Sequence, residues 1–186
     1  MKKAENRVET YLSNKYQKTF SYVSEKGGVW SDKATSVIYK DPNGVECVVR
    51  YTDKYMSDNY CSALYDGEIA QRLRDTIQAE CKVFVSTESA FFEESKSFAS
   101  AEDYMKRCGV VNITIYVSQE NLLSDVAADV QRASEGGTFS GMIQCVSRDV
   151  FHNLSSRDDN VLPGDIVEYG SFWIEDGVIV RTSWEA

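Results

Sequence analysis

The sequence is poor in the residues on which most catalytic sites depend. It has one histidine in 186 residues, and none of its five cysteines belongs to a CxxC pair. A zinc site with two histidine ligands is therefore excluded, and the cysteines lack the spacing of a cysteine-rich site. Phosphate-binding loops, dinucleotide-binding turns and serine-hydrolase elbows are also missing. We expect no metal, no cofactor and no catalytic residue.

Long apolar runs are missing as well. No stretch reaches the roughly 18 apolar residues that cross a bilayer, so the sequence predicts no membrane span. Residues 1–25 also lack the apolar segment of a signal peptide. Localisation therefore has two interpretations: extracytoplasmic and membrane-anchored if a leader was removed, or cytoplasmic if Met1 is the native start.

Positive charge is scarce in the second half. Residues 1–88 carry 13 Lys and Arg against 13 Asp and Glu, whereas residues 89–186 carry 7 against 16, which is the whole net charge of −9. We interpret this as a neutral module, 1–88, and an acidic module, 89–186, either separate or packed as one domain. An acidic chain opposes nucleic-acid binding and favours a basic protein or peptide partner through electrostatic steering.

The sequence of the neutral module predicts helices and short strands. Apolar residues from Ala4 to Tyr16 recur at helical spacing, and Lys15 and Lys18 are interpreted as part of the solvated face. Asp41 to Gly44 has the composition of a hairpin turn. The remaining predicted elements are three strands, a second helix and a fourth strand, at residues 20–24, 35–39, 45–51, 58–77 and 81–86. Together they make an α-β-β-β-α-β two-layer sandwich.

The acidic module follows residues 87–100, which have no clear period and are predicted to be a linker or flexible loop. Its predicted elements are a helix, a strand, a helix, a strand and a closing hairpin, at residues 101–107, 111–117, 120–134, 139–146 and 166–184. Strand, helix and strand at these lengths imply parallel neighbours. The fold class is therefore α+β, with a β-α-β plus β-hairpin module after the first sandwich.

Aromatic residues suggest a binding surface. The chain has eleven Tyr, eight Phe and three Trp, and Tyr is typical of wet or interacting surfaces. Thr114 and Tyr116 lie on the polar side of the cleanest alternating strand. A two-residue hairpin turn would place Tyr169, Trp173 and Trp184 on one face. These five residues are the candidate binding residues, although plain solvent exposure of a sheet face has the same pattern.

Two residues support an enzymatic alternative. Cys61 falls in the first turn of the second helix, where the helix dipole lowers a thiol pKa, although neighbouring Asp58 opposes this. His152 could act as a general base only with a partner such as Ser147 or Asp149. A buried inert cysteine and a surface histidine are the simpler interpretation. The alternative is a thiol- or His-dependent hydrolase in a groove between the modules.

Several segments resemble a group of uncharacterised exported or lipid-anchored α+β proteins of Gram-positive bacteria. The segments are Tyr11-Leu12 with Lys15-Tyr16 and Phe20, then Asp58-Asn59-Tyr60, and Ile113 to Val117. The resemblance implies a small α+β fold with no assigned activity. This chain departs from the group by its five cysteines and by the absence of a leader.

The sequence therefore predicts a protein that binds rather than catalyses. We expect a non-catalytic binding or interaction protein that uses an exposed sheet face and an acidic surface. This expectation rests on the shortage of reactive side chains and on the distribution of aromatic and charged residues.

Overall fold

The computed structural model describes residues 2–26, 34–86, 92–93, 97–108, 110–120, 122–134, 136–155 and 161–185. In chain order the elements are α1 (Lys2–Tyr16), β1 (Ser21–Glu25), β2 (Thr35–Lys40), β3 (Glu46–Tyr51), β4 (Met56–Asp58), α2 (Tyr60–Thr76), β5 (Cys81–Ser86), β6 (Phe92–Glu93), α3 (Ala101–Arg107), β7 (Val110–Val117), α4 (Leu123–Ala133), β8 (Thr138–Val146), α5 (Arg148–Asn153), a 3-10 turn (Pro163–Asp165), β9 (Ile166–Glu175) and β10 (Val178–Glu185). No helix in these ranges has the length and apolar character needed to cross a membrane.

The elements form two compact units, each with one sheet. The first unit is Met1–Tyr65 with Glu88–Ala99, and the second is Asp66–Thr87 with Ser100–Ala186. The first sheet is antiparallel, in the order β1-β2-β3-β4-β6, and the second is mixed, in the order β10-β9-β8-β7-β5. The predicted α+β class and the order of its elements are confirmed.

Strand β5 joins a different sheet from the one predicted. It was expected to complete the first sandwich, but it pairs antiparallel with β7, from Cys81 opposite Val117 to Ser86 opposite Asn112. Its local sequence specifies an extended segment, whereas the choice of partner depends on a strand far along the chain. The boundary between the two compact units therefore does not coincide with the change in net charge at residue 88. That change in charge stays a prediction about the surface of the protein.

The core of the first unit lies between α1 and its sheet. Leu12, Tyr39 and Val49 are fully buried there. The predicted turn between β2 and β3 is present, and Gly44 adopts a positive φ of 86°, which glycine tolerates best. The apolar face of α1 and the buried side chains of β2 and β3 therefore pack into one core.

In the second unit, β7 and β8 are parallel neighbours joined through α4, as predicted. The face that carries Val111, Ile113 and Ile115 is buried, and α4 contacts β8, β9 and β10. On the opposite face, a smaller core under α5 holds Tyr116 and Phe151. The short helix α5 covers part of this face, and another part of it lines a groove.

The hairpin of β9 and β10 contains a bulge that the sequence pattern did not indicate. An extra residue, Val180, shifts the register by one. A one-residue shift turns every later side chain to the other face. Trp184 is therefore opposite Gly170 and not on the face of Tyr169 and Trp173, so their predicted common face is wrong. A Cβ at Gly170 would lie only 1.7 Å from the Trp184 ring, which packs over this glycine.

Candidate functional site

The open part of the second sheet carries a groove of about 410 Å³. We call it the sheet groove and define it by the polar residues that line it: Asn112, Thr114, Ser140, Ser171, Trp173 and Arg181. Backbone atoms of β7, β8 and β9 form its floor, and their hydrogen bonds are already made within the sheet. Recognition in this groove therefore depends on side chains.

The register of four strands builds the main row of the groove. Asn112 is opposite Ser140, Ser140 is opposite Trp173, and Trp173 is opposite Arg181. Adjacent strands are about 4.8 Å apart, so the row crosses roughly 14 Å of sheet. The bulge at Val180 is what brings Arg181 to the end of this row.

Thr114 lies one step along β7 from this row and is the most buried polar side chain in the groove. Only 6% of the residue is exposed, and its hydroxyl makes no hydrogen bond within the described part of the chain. The hydroxyl oxygen itself is not among the fully buried side-chain atoms that lack a partner, so it is accessible to solvent. The Thr114 hydroxyl is therefore available to a molecule that enters the groove.

Most of the other polar groups in the groove are also unpaired. Among the described residues, the side chains of Asn112, Ser140, Trp173 and Arg181 have no hydrogen-bond or ion-pair partner. Ser171 differs, because its hydroxyl lies 2.6 Å from that of an exposed serine on β10. The groove thus holds an amide, two hydroxyls, an indole N–H and a guanidinium that no described residue satisfies.

The electrostatics of the groove differ from those of the whole chain. Arg181 is the charged side chain among the described residues that line it, whereas the protein carries a net charge of −9. Arg181 is exposed at the rim, and a guanidinium presents a planar fork that matches a carboxylate. The groove is therefore locally positive.

The predicted binding residues fall in three places. Thr114 and Trp173 line the groove together. Tyr116 is 5% exposed and packs edge-on against a phenylalanine of β5 in the core under α5. Tyr169 is 41% exposed on the groove side of the sheet but outside the groove lining, and Trp184 lies on the opposite face. The structure therefore brings two of the five together.

Sequence reasoning missed Asn112, Ser140 and Arg181. Asn112 had a usable signal, because it shares the polar side of the alternating strand with Thr114. Ser140 can be assigned to the groove only when the register of the parallel pair β7 and β8 is known. Arg181 can be assigned to it only when the bulge in β10 is known.

The first unit contains a different polar site, which we call the buried polar cluster: Tyr11, Lys15, Tyr16 and Asp58. Asp58 is fully buried, and the Lys15 side chain is 1% exposed with its Nζ 2.8 Å from Asp58 Oδ2. The hydroxyls of Tyr11 and Tyr16 donate to the same carboxylate at 2.6 and 2.7 Å. The interpretation of Lys15 as a solvated residue is wrong, because a carboxylate from β4 binds it inside the unit.

A second buried carboxylate, Asp41, lies nearby in the same unit. It accepts hydrogen bonds from the Tyr60 hydroxyl at 2.8 Å and from the backbone amides of Asn43 and Val45 at 2.9 Å. Burial disfavours its charge, but these hydrogen bonds and the ammonium of Lys18 outweigh burial and lower the pKa of Asp41. The Asp41 carboxylate therefore stabilises the turn between β2 and β3.

Cys61 lies beside the buried polar cluster and is 1% exposed. Its thiol lies 3.6 Å from the Tyr16 hydroxyl. Burial raises the pKa of Cys61, and the charge of Asp58 raises it further, although the Tyr16 contact acts in the other direction. The thiol is therefore protonated at neutral pH, and the structure does not support Cys61 as a nucleophile.

His152 is exposed on α5. The Ser147 hydroxyl accepts a hydrogen bond from the backbone amide of Val150 and so caps this helix. Within the described ranges, the His152 ring makes no hydrogen bond to Ser147 or Asp149. The arrangement needed for the hydrolase alternative is not supported at this position either.

Comparisons with known proteins add one similarity. No family model matches the chain, and no curated protein matches it. Among solved structures, the chain is similar to the crystal structure of a DUF5037 family protein from Ruminococcus gnavus ATCC 29149, with a TM-score of 0.47 and 12% sequence identity over 94% of this chain and 93% of that chain. This similarity carries no information on function. The resemblance to exported or lipid-anchored proteins stays a prediction.

Proposed function

We propose that this is a non-catalytic binding protein and that the sheet groove is its ligand site. The observation that carries the proposal is the row of polar side chains that line the groove without a partner among the described residues: Asn112, Ser140, Trp173 and Arg181. Thr114 adds a hydroxyl that is accessible from the groove although the rest of its side chain is buried. Groups that no protein atom satisfies can form hydrogen bonds with a ligand in place of water.

The size and lining of the groove also support a ligand site over a merely solvated sheet face. Small-molecule sites in proteins have volumes of about 300 to 1,000 Å³ and combine apolar surface with a few polar groups. The sheet groove, at about 410 Å³, combines Trp173 and Met142 with the unpaired polar groups. Both the size of the groove and its mixed lining therefore match those of a small-molecule site.

A fragment survey tests this proposal. Small polar and aromatic fragments would be added to ¹⁵N-labelled protein, and amide shifts would be mapped onto the sequence. We expect the shifts to cluster around Ser140, Ser171 and Trp173. The same fragments should quench tryptophan fluorescence, and quenching should be lost in Trp173→Phe but kept in Trp184→Phe.

Trp184→Phe is a matched control, because it removes a tryptophan from the same hairpin but from the opposite face. A second groove, of about 310 Å³ beside α1, offers the competing location and is lined by residues that include Arg7, Tyr11 and Tyr55. Fragment shifts that cluster there, with none at the sheet groove, would contradict the proposal.

A second candidate function uses the acidic surface of the second unit. Five of its carboxylates are exposed and have no ion pair within the described ranges: Glu120, Asp125, Asp149, Glu175 and Asp176. Unpaired surface charge of one sign steers a partner of the opposite sign. These residues support association with a basic protein or peptide.

This second candidate makes a kinetic prediction. The on-rate of a basic partner should fall by at least about tenfold when salt rises from low to physiological ionic strength or above, because salt screens steering. Replacing Glu175 and Asp176 by their amides should slow association without changing the fold. An on-rate that does not depend on salt would exclude this candidate.

A further inference from the structure

We infer that the sheet groove binds a saccharide that carries a single carboxylate, an inference that rests on the groove being the ligand site. The charge of the groove is the first argument. Arg181 closes one end of the row, is exposed, and has no carboxylate partner among the described residues. A guanidinium in this position binds a carboxylate through two parallel hydrogen bonds.

The polar groups at the other end of the groove match hydroxyl groups. Asn112, Thr114 and Ser140 can each donate and accept hydrogen bonds. A saccharide hydroxyl does both as well, so a ring that carries several hydroxyls can satisfy this mixed set. The ligand groups that pair with these residues therefore need both capacities, which an apolar acid or a fatty acid lacks.

Trp173 lies between the two ends of the row. It is half-buried, and its registered neighbours are Ser140 on one side and Arg181 on the other. Indole offers a broad apolar surface with one N–H donor. A sugar ring has apolar C–H faces and polar edges, so it can pack on the indole while its hydroxyls and carboxylate reach the neighbouring side chains.

Two other ligand classes fit less well. A polyphosphate would bring several negative charges to a protein with a net charge of −9 and to a groove where the described lining contains a single cation, Arg181. An extended peptide binds best along a sheet edge, where backbone groups are unpaired. The floor of this groove consists of interior strands whose neighbours are already in place.

Cellobiouronic acid and cellobiose test the inference, because they differ in one carboxylate. Binding to the intact protein would be followed by tryptophan fluorescence and calorimetry. We expect the acid to bind at least about tenfold more tightly than the neutral sugar. Arg181→Gln should abolish this preference, and Arg181→Lys should keep only part of it, because a point charge lacks the fork. Trp173→Phe should weaken both sugars, and Trp184→Phe neither.

The outcomes separate the inference from the proposed function. Equal binding of both sugars, or a loss of both in Arg181→Gln, would overturn the carboxylate assignment and leave the groove as a sugar site. Tighter binding of N-acetyl-Ser-Gly-Ser, a short peptide whose single carboxylate is its C-terminus, would overturn the saccharide assignment. If neither sugar binds at millimolar concentration, the inference is wrong, and the fragment survey then decides separately whether the groove is a ligand site.

Discussion

The buried polar cluster and the sheet groove both contain polar side chains, but these have protein partners in the cluster and mostly lack them in the groove. In the first unit, Asp58 binds an ammonium, two phenolic hydroxyls and a backbone amide, so its charge is satisfied internally. In the second unit, the Arg181 guanidinium and the Thr114 hydroxyl have no partner in the described residues. The difference shows that polar side chains alone do not mark a binding site, because a side chain whose hydrogen bonds are already made within the protein has none to offer a ligand.

The largest effect should come from breaking the buried ion pair. Asp58→Asn leaves the Lys15 ammonium buried without its counter-charge, and we expect a loss of about 3 to 5 kcal/mol in the free energy of unfolding. Urea unfolding followed by circular dichroism measures it. Asp53→Asn, an exposed carboxylate in the same unit, is the control and should stay within about 0.5 kcal/mol. Equal losses of stability in the two variants would show that the buried Asp58 stabilises the fold no more than an exposed carboxylate does.

Removing the charge of Asp41 should cause a smaller loss of stability, and this loss should depend on pH. Its folded pKa lies below its usual value of 3.8, so its contribution is present above about pH 4 and is lost as pH falls through the folded pKa. Asp41→Asn should cost about 2 kcal/mol at pH 7, because several hydrogen bonds lose a charged acceptor. The difference from the wild type should shrink below pH 4. A difference that stays constant down to about pH 2 would contradict this account.

Thr114→Val should cause no loss of stability. The hydroxyl that it removes has no partner among the described residues and is accessible to water, so we expect the free energy of unfolding to change by less than about 0.5 kcal/mol. Thr76→Val is the matched control in the same unit, because the Thr76 hydroxyl donates to the Arg72 carbonyl at 2.9 Å. That variant should lose about 1 kcal/mol. Thermal unfolding of both measures the contrast, and an equal loss in both would mean that Thr114 is satisfied.

Arg181→Gln should have the smallest effect on stability. Its guanidinium makes no bond within the described part of the chain, so unfolding should change by less than about 0.5 kcal/mol. Arg74→Gln is the comparison, because Arg74 donates to the Val83 carbonyl and to Gln71. The Arg74 variant should lose more stability, as measured by the midpoint of urea unfolding. A larger loss for Arg181 would indicate a structural role.

Local patterns predicted most elements well. The alternation of Val111, Ile113 and Ile115 placed β7, and the helical spacing of α1 and α4 was confirmed. The sequence also placed Thr114 on the polar side of its strand, where it now lines the sheet groove. These predictions succeeded because the period of a helix or strand depends on near neighbours in the chain.

Errors arose where a distant residue decided the outcome. Lys15 has the sequence context of a solvated helix residue, and only Asp58, 43 positions away, reveals that it is buried. Trp184 changed faces because the bulge at Val180 shifted the register. Neither event leaves a local pattern, since both depend on contacts between segments far apart in the chain.

The amino-acid sequence by itself determined the α+β class, the order of the elements and the shortage of reactive groups, because these depend on composition and on short periodicities. Only the tertiary structure decided which strands pair and which polar groups are satisfied. Strand register and hydrogen-bond partners depend on long-range contacts. For that reason the groove residues Asn112, Ser140 and Arg181 could be brought together only in three dimensions.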